Sequence, residues 1–379
     1  MKRLLLLLPL CAAMFGCGSD ARNGDTLWYG TPARVWEEAL PVGNGHMGAM
    51  VFGDTSCERI QFNESTLYSG EPGMSVDGIR IDGCRDEVLR LLAAGDNAGA
   101  EALMQREWIG RLNEAYQPCG DLWLDMRMEG EVSDYRHELD MSRAVVTTSY
   151  VQGGVRIVRE VFASHPHRAV VVRLTASEPV LRFDARLTSP HPIETLSSAG
   201  GLTIRGKAPA HVQRRTVEAI AEAGTQRLHP EYFDSAGRVI RREQVIYEDG
   251  PEGRGMSFEA RLSPLSVDGR VTVGDGRIRV EECREAVFVL RAATSFNGFD
   301  RSPSRDGANP SQRLDADARL TEGVGYDALC RCHEADFGAL YDRVALSLPE
   351  TAGQAALPVD ERLRRFAAGD SDAGLAALF

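Results

Sequence analysis

Apolar and polar residues alternate along two runs, Ala144–Val151 and Val155–Phe162, with Gly153-Gly154 between them. A period of two puts alternate side chains on opposite faces of a strand, and a Gly-Gly pair suits the left-handed backbone of a tight hairpin turn. The pattern predicts a β-hairpin. Arg168–Thr175 follows as a third strand in which Val170, Val172 and Leu174 alternate with Val171 and Arg173. Apolar residues on both of its faces predict a meander packed between two sheets. Further strands are expected at Val180–Leu187, Leu202–Arg205, Met256–Leu265, Arg270–Val273, Arg277–Val280 and Ala286–Ala293. Four glycines, Gly43, Gly45, Gly48 and Gly53, surround the apolar run Ala49–Phe52, which reads as strand, turn, strand.

The period becomes helical in two places. Asp86–Ala94 and Asn97–Trp108 carry Val88, Leu89, Leu91, Leu92, Ala100, Leu103, Met104 and Trp108 at helical spacing, and Gly95-Asp96 marks a break and a new N-cap. This predicts a helical hairpin inserted into a β-rich chain, with Trp108 in its core. From Tyr326 onward, Leu329, Phe337, Leu340, Tyr341 and Val344 form one apolar stripe, broken at Ser347-Leu348-Pro349. Asp360 is expected to cap a helix over Glu361–Ala368, and a last helical run reaches Leu378-Phe379, which looks like a chain interrupted inside a helix. Residues 206–254 follow neither period and are punctuated by Pro and Gly, as loops with a role in packing or at a domain boundary are.

Composition narrows the partners. The net charge of −12, with acidic residues dispersed, argues against nucleic acid, whose phosphates need clustered cations, and is compatible with a neutral ligand such as sugar. Lys2-Arg3 precede an apolar run, Leu4–Phe15, too short for the roughly 20 residues that span a bilayer. Residues 1–16 therefore read as a signal peptide. Gly16-Cys17-Gly18-Ser19 resembles a bacterial lipoprotein cleavage site, preferred here over ordinary signal-peptidase cleavage. Cys17 becomes the acylated first residue and residues 17–26 a tether, which predicts an exported outer-membrane or periplasmic lipoprotein, with the cell surface open. The membrane is then a partner through the lipid anchor alone. Six cysteines remain beyond the targeting segment, and buried free thiols are expected of them.

The stretch from Ala39 to Gly70, with Trp36 before it and Asn63-Glu64 within it, resembles the N-terminal signature of glycoside hydrolase family 95, the α-L-fucosidases. Four further landmarks occur in the family's order: Tyr116–Leu124, Tyr135–Met141, Gly154–Pro166 and Ala293–Asp300. The resemblance implies a mainly β fold. An N-terminal antiparallel β-sandwich of the super-sandwich type occupies residues 27–320. Residues 321–379 form a helical linker and the start of a catalytic domain that leads into an (α/α)6 barrel. In the family an inverting hydrolysis is carried by carboxyl and asparagine groups beyond position 379, so no catalytic residue is assigned in this chain and no activity is expected of it alone. Fucosylated glycans are the implied substrate, the barrel the implied intramolecular partner, and no cofactor is implied. Two alternatives stay open: a non-catalytic glycan-binding surface lipoprotein, and an α-L-galactosidase of the same family.

Four residues are candidates for a substrate rim: Trp36, His46, Asn63 and Glu64. Polar groups beside a glycine-rich turn can line a ligand, and an aromatic ring can stack on a sugar face. The competing reading, which the residue types favour, has Asn63 and Glu64 satisfying backbone groups and Trp36 in the core. His165, His167 and His191 read as loop histidines, and Cys330-Arg-Cys332 points its thiols about 200° apart on a helix, so no metal site is expected. Asn297-Gly298 has the form of a tight turn flanked by Phe296 and Phe299. Phe296, Asn297 and Phe299, with the Tyr326–Val344 helix, are the expected docking face for the barrel.

Overall fold

In the computed structural model the alternating segments become two stacked antiparallel sheets. The structure describes residues 25–72, 81–108, 113–250, 253–346, 348, 353–354 and 356–378. The signal peptide, Cys17 and most of the tether lie outside the described residues.

The chain enters as β1 (Thr26–Tyr29), then runs through β2 (Leu40–Gly43), β3 (Met47–Val51) and β4 (Cys57–Glu64). Helices α1 (Ile81–Ala93) and α2 (Asn97–Glu107) follow, then β5 (Gly120–Met126). A meander of β6 (Val132–Asp140), β7 (Val145–Gln152), β8 (Val155–Ser164) and β9 (Ala169–Ala176) leads to β10 (Leu181–Thr188), β11 (Ile193–Ser198) and β12 (Gly201–Lys207). An excursion carries β13 (His211–Val212), α3 (Val217–Glu222) and β14 (Val245–Ile246), after which β15 (Ser257–Val267), β16 (Arg270–Gly274), β17 (Arg277–Cys283) and β18 (Glu285–Thr294) complete the sheets. Helices α4 (Pro310–Ala318), α5 (Tyr326–Tyr341), α6 (Val359–Ala367) and α7 (Ala373–Leu378) close the chain. One sheet has the order β1-β6-β7-β8-β9-β18-β15-β12-β11, the other β16-β17-β10-β5-β4-β3-β2.

Their inner faces share one core, with Val51, Ile60, Phe62 and Phe183 from the seven-stranded sheet against Val161, Val172, Phe258 and Phe288 from the nine-stranded one. The predicted hairpin is β7–β8, and Gly153 and Gly154 take φ of 58° and 85°, the left-handed values a two-residue turn of this hand requires. The helical hairpin is also present. Asp96 caps α2 by accepting a hydrogen bond from the Gly99 amide at 2.9 Å. Trp108 is only half-buried, with its indole N–H on the Cys84 sulfur at 2.8 Å.

Three expectations change. The meander is not packed between two sheets: β9 lies within the nine-stranded sheet, and its second face, with Val145, Phe162 and Val287, is covered by α5. Alternation reports that a face is buried, not what buries it. The buried stripe of α5 is Tyr326, Leu329, Cys330 and His333, at i, i+3, i+4 and i+7, while Leu340 and Val344 are exposed. Asp360 sits inside the first turn of α6, whose N-cap is Pro358. The irregular 206–254 region packs a small core of its own from Val217, Ile220, Tyr232, Phe233 and Ile246. Among the described cysteines, Cys119, Cys283 and Cys330 are buried free thiols, Cys57 is a partly buried one and Cys332 an exposed one, while Cys84 is partly buried under the Trp108 indole.

A buried ion pair joins the sheets. Arg159 on β8, 1% exposed, donates to the carboxylate of Glu58 on β4, which is 0% exposed. Glu58 also accepts from the amides of Phe52 at 3.1 Å and Gly53 at 3.0 Å, and Arg159 donates to the Asp54 carbonyl at 3.0 Å. Beside them His137 holds Thr148 Oγ1 at 2.9 Å and the Val51 carbonyl at 3.2 Å.

Candidate functional site

The outer face of β2, β3 and β4 carries a groove of about 420 Å³. The register builds it. Pairing of Gly43 with Gly48 and of Gly48 with Asn63 makes one cross-strand row, and Pro41, Met50 and Gln61 make the row beside it. Trp36, in a single 3-10 turn just ahead of β2, forms one wall and Tyr116 another. Trp36 is 53% exposed, which corrects its reading as a core residue: the 3-10 turn has no buried residue and stands outside both sheets.

His46, in the turn from β2 to β3, lines the groove edge and is fixed from below. One ring nitrogen faces Glu64 Oε1 at 3.3 Å and the other the Ala292 carbonyl at 3.1 Å. Glu64 itself is buried on the core side of β4 and accepts from the Thr66 amide and hydroxyl, both at 2.7 Å. Asn63 accepts from the Cys119 amide at 3.1 Å, and Tyr116 donates to the Glu64 carbonyl at 3.0 Å. Burial, with the Glu64 charge next, pushes the Tyr116 hydroxyl up to about 12, so it is a neutral hydrogen-bonding group at working pH. The structure thus brings Trp36, His46 and Asn63 to one groove and leaves Glu64 beneath it as the residue that orients His46. Tyr116, Gln61 and Met50 are groove residues that sequence reasoning did not single out. Tyr116 opens one of the landmark segments, yet what puts it here are contacts across about 50 residues of chain, its bridge to Tyr68, its bond to the Glu64 carbonyl and the neighbouring Asn63–Cys119 contact.

Tyr116 also meets Tyr68 edge-on, with ring centroids 5.2 Å apart, and Tyr68 leads into a smaller pocket of about 170 Å³. Phe296, Gly298 and Phe299 line that pocket. Gly298 has φ of +117°, as the turn requires, and the Asn297 amide donates to the Asp306 carbonyl at 2.8 Å. Phe299 is 88% exposed and Phe296 packs partly against the core. On the far wall Glu114 accepts from Ser69 Oγ at 2.5 Å and pairs with His211 at 2.6 Å. Burial raises its carboxyl, but these hydrogen bonds, together with the His211 charge and the Val212 amide, hold it below the ordinary range. Among the loop histidines, His167 pairs with Ser164 and His191 with Tyr247 and the Pro118 carbonyl. Among the described residues no group of three or more His, Cys, Asp and Glu side chains could hold a metal ion.

Inverting glycoside hydrolysis needs at least a carboxyl group to protonate the leaving oxygen, and in its common form a second one roughly 6.5–9.5 Å away to activate water. The lining of the 420 Å³ groove contains no carboxylate. Its geometry suits holding a ligand.

Residues 27–298 match the glycosyl hydrolase family 65 N-terminal domain. The chain belongs to this family. In this family 65-type chain, residues 325–379, from the N-cap of α5 onward, match a different description, the glycosyl hydrolase family 95 catalytic domain. Alpha-L-fucosidase 2 of Arabidopsis thaliana is 28% identical over 376 residues, covering 95% of this chain and 41% of the relative. Probable alpha-fucosidase A of Aspergillus niger is 24% identical over 384 residues, covering 96% and 42%. The chain therefore spans about two-fifths of the length of these relatives, and it is similar to the N-terminal part of family 95 proteins. A solved structure, a putative kojibiose phosphorylase from human microbiome, aligns at 9% identity over 79% of this chain and 35% of that one, with a TM-score of 0.40.

Proposed function

We propose that this chain serves the hydrolysis of terminal α-L-fucosyl linkages in glycans, with the sandwich as an accessory portion and residues 325–379 as the opening of the catalytic domain. The observation that carries this reading is the match to two α-fucosidases along 95% and 96% of the chain, through sandwich and helices alike. The proton donor and the group that activates water belong to the catalytic domain beyond the residues present here, and the hydrolysis inverts. The chain by itself is then silent. The same reading has it exported, with Cys17 acylated and holding it to a bacterial membrane.

The test is release of the aryl alcohol from an aryl α-L-fucoside, with the aryl α-L-galactoside in parallel. The purified chain is assayed beside a form extended through whatever open frame follows codon 379. Turnover by the extended form alone is expected, faster on the fucoside. Turnover by the 379-residue chain would overturn the assignment of catalysis to the downstream domain. A carboxylate-free groove on a silent chain with no active longer form would favour the second reading, a glycan-binding surface protein.

A further inference from the structure

Gly43 and Gly48 face each other on neighbouring strands at the centre of the groove floor. Neither needs to be glycine for the fold. Neither has a left-handed φ, and a Cβ would meet nothing nearer than the Met47 carbonyl at 3.7 Å from Gly43 or the Val42 carbonyl at 3.6 Å from Gly48, both ordinary contacts. Gly45 and Gly53 differ, since each has a φ of +79°. Glycine within a strand is destabilising by roughly 0.5–1 kcal/mol relative to alanine, so two unforced glycines side by side are a loss the fold does not require. What they provide is a stretch of sheet without side chains, where a ligand can lie against backbone beside Trp36, which lines the same groove.

The walls indicate the ligand. In a chain where 26% of residues are charged, none of the groove-lining residues is Asp, Glu, Lys or Arg, so nothing there selects an ion. The Gln61 amide and the Ser65 hydroxyl make no hydrogen bond among the described residues, which leaves donors and acceptors available beside the half-exposed indole. An aromatic face, a flat floor and neutral hydrogen-bonding groups match a neutral sugar, whose C–H face stacks and whose hydroxyls bond.

We infer that the groove over Gly43 and Gly48 is a binding site for a neutral oligosaccharide, with Trp36 as stacking platform and Gln61 and Ser65 as hydroxyl partners. The choice of a fucosylated sugar as probe rests on the proposed function; the site itself does not. Titration calorimetry of the purified chain with 2′-fucosyllactose reads binding alone, so it can fail while the hydrolysis assay succeeds, and the reverse. The expected result is saturable binding, weakened about tenfold in Trp36→Ala by loss of the stack. In Gly48→Leu, whose side chain fills the floor, binding is lost with the thermal midpoint unchanged. Should Gly48→Leu lower that midpoint, Gln61→Ala carries the same test from an outward-facing position. Absence of saturable binding, or affinity unchanged in the well-folded variants, would overturn the inference.

Discussion

Replacing Arg159 with Met removes one half of the ion pair that joins the two sheets and leaves the Glu58 carboxylate buried with only the Phe52 and Gly53 amides to hold it. Removing one partner of a buried pair costs about 3–5 kcal/mol, because the remaining charge is uncompensated. The double variant Glu58→Gln/Arg159→Met is expected to recover much of this loss. The glutamine oxygen still accepts from the two amides while the buried charge is gone, and in Arg159 the Nε and Nη1 atoms make no hydrogen bond, so beyond the pair itself the bond to the Asp54 carbonyl is what is lost with it. The double variant should sit about 1–2 kcal/mol below the parent, a coupling far from additive. The pH dependence supplies an independent check. Burial already pushes the Glu58 carboxyl up to about 7, against the Arg159 charge that lowers it, so removing Arg159 raises it further. A raised folded pKa means stability that is fully present below the unfolded value near 4.5 and lost as pH rises through the folded value. The deficit of Arg159→Met relative to the parent must therefore shrink as pH falls from 8 towards about 5. Urea unfolding followed by fluorescence at matched pH values measures all of this. A single-variant loss under about 1 kcal/mol, or additive single and double losses, would refute the argument.

Acid should weaken the fold through its buried histidines. Burial, reinforced by the Arg159 charge, holds His137 down at about 4 against 6.5. That contribution is present above 6.5 and lost as pH falls towards 4, about 3 kcal/mol at full loss, which unfolding midpoints across this range will read. Gly53→Ala is expected to cost at least about 2 kcal/mol, since φ is +79° and the new Cβ falls 2.6 Å from the Tyr135 hydroxyl; unchanged urea midpoints would contradict it. Leu329→Ala should cost about 2–5 kcal/mol and expose the β9 face that α5 covers, seen as faster amide exchange in α5 and β9 than elsewhere.

Local pattern carried the secondary structure wherever one face of an element is apolar and the other polar. It failed for β1, β6 and β11, for identifiable reasons. β11 is an edge strand with no buried residue, and β6 turns His137 inward where a hydrophobic residue gives the usual signal. The candidate site was half legible. Glycine density drew attention to residues 43–53, but a turn histidine, a strand asparagine and an early tryptophan each have a commoner structural reading.

Sequence alone determined the β-hairpin at Gly153-Gly154, the Asp96-capped helical hairpin, the sandwich class and the likeness to α-fucosidases. These depend on periodicity, on turn chemistry and on the order of short motifs, all of which are properties of neighbouring residues. Only the tertiary structure decided that Trp36 stands outside the core, that Tyr116 closes the groove opened by Gly43 and Gly48, that a helix covers β9, and that Arg159 meets Glu58 across the sheets. Burial of apolar area is non-directional, so a hydrophobic face specifies that it will be covered without specifying by what. Register and sheet stacking make that choice, and they join residues that lie 56 and 101 positions apart.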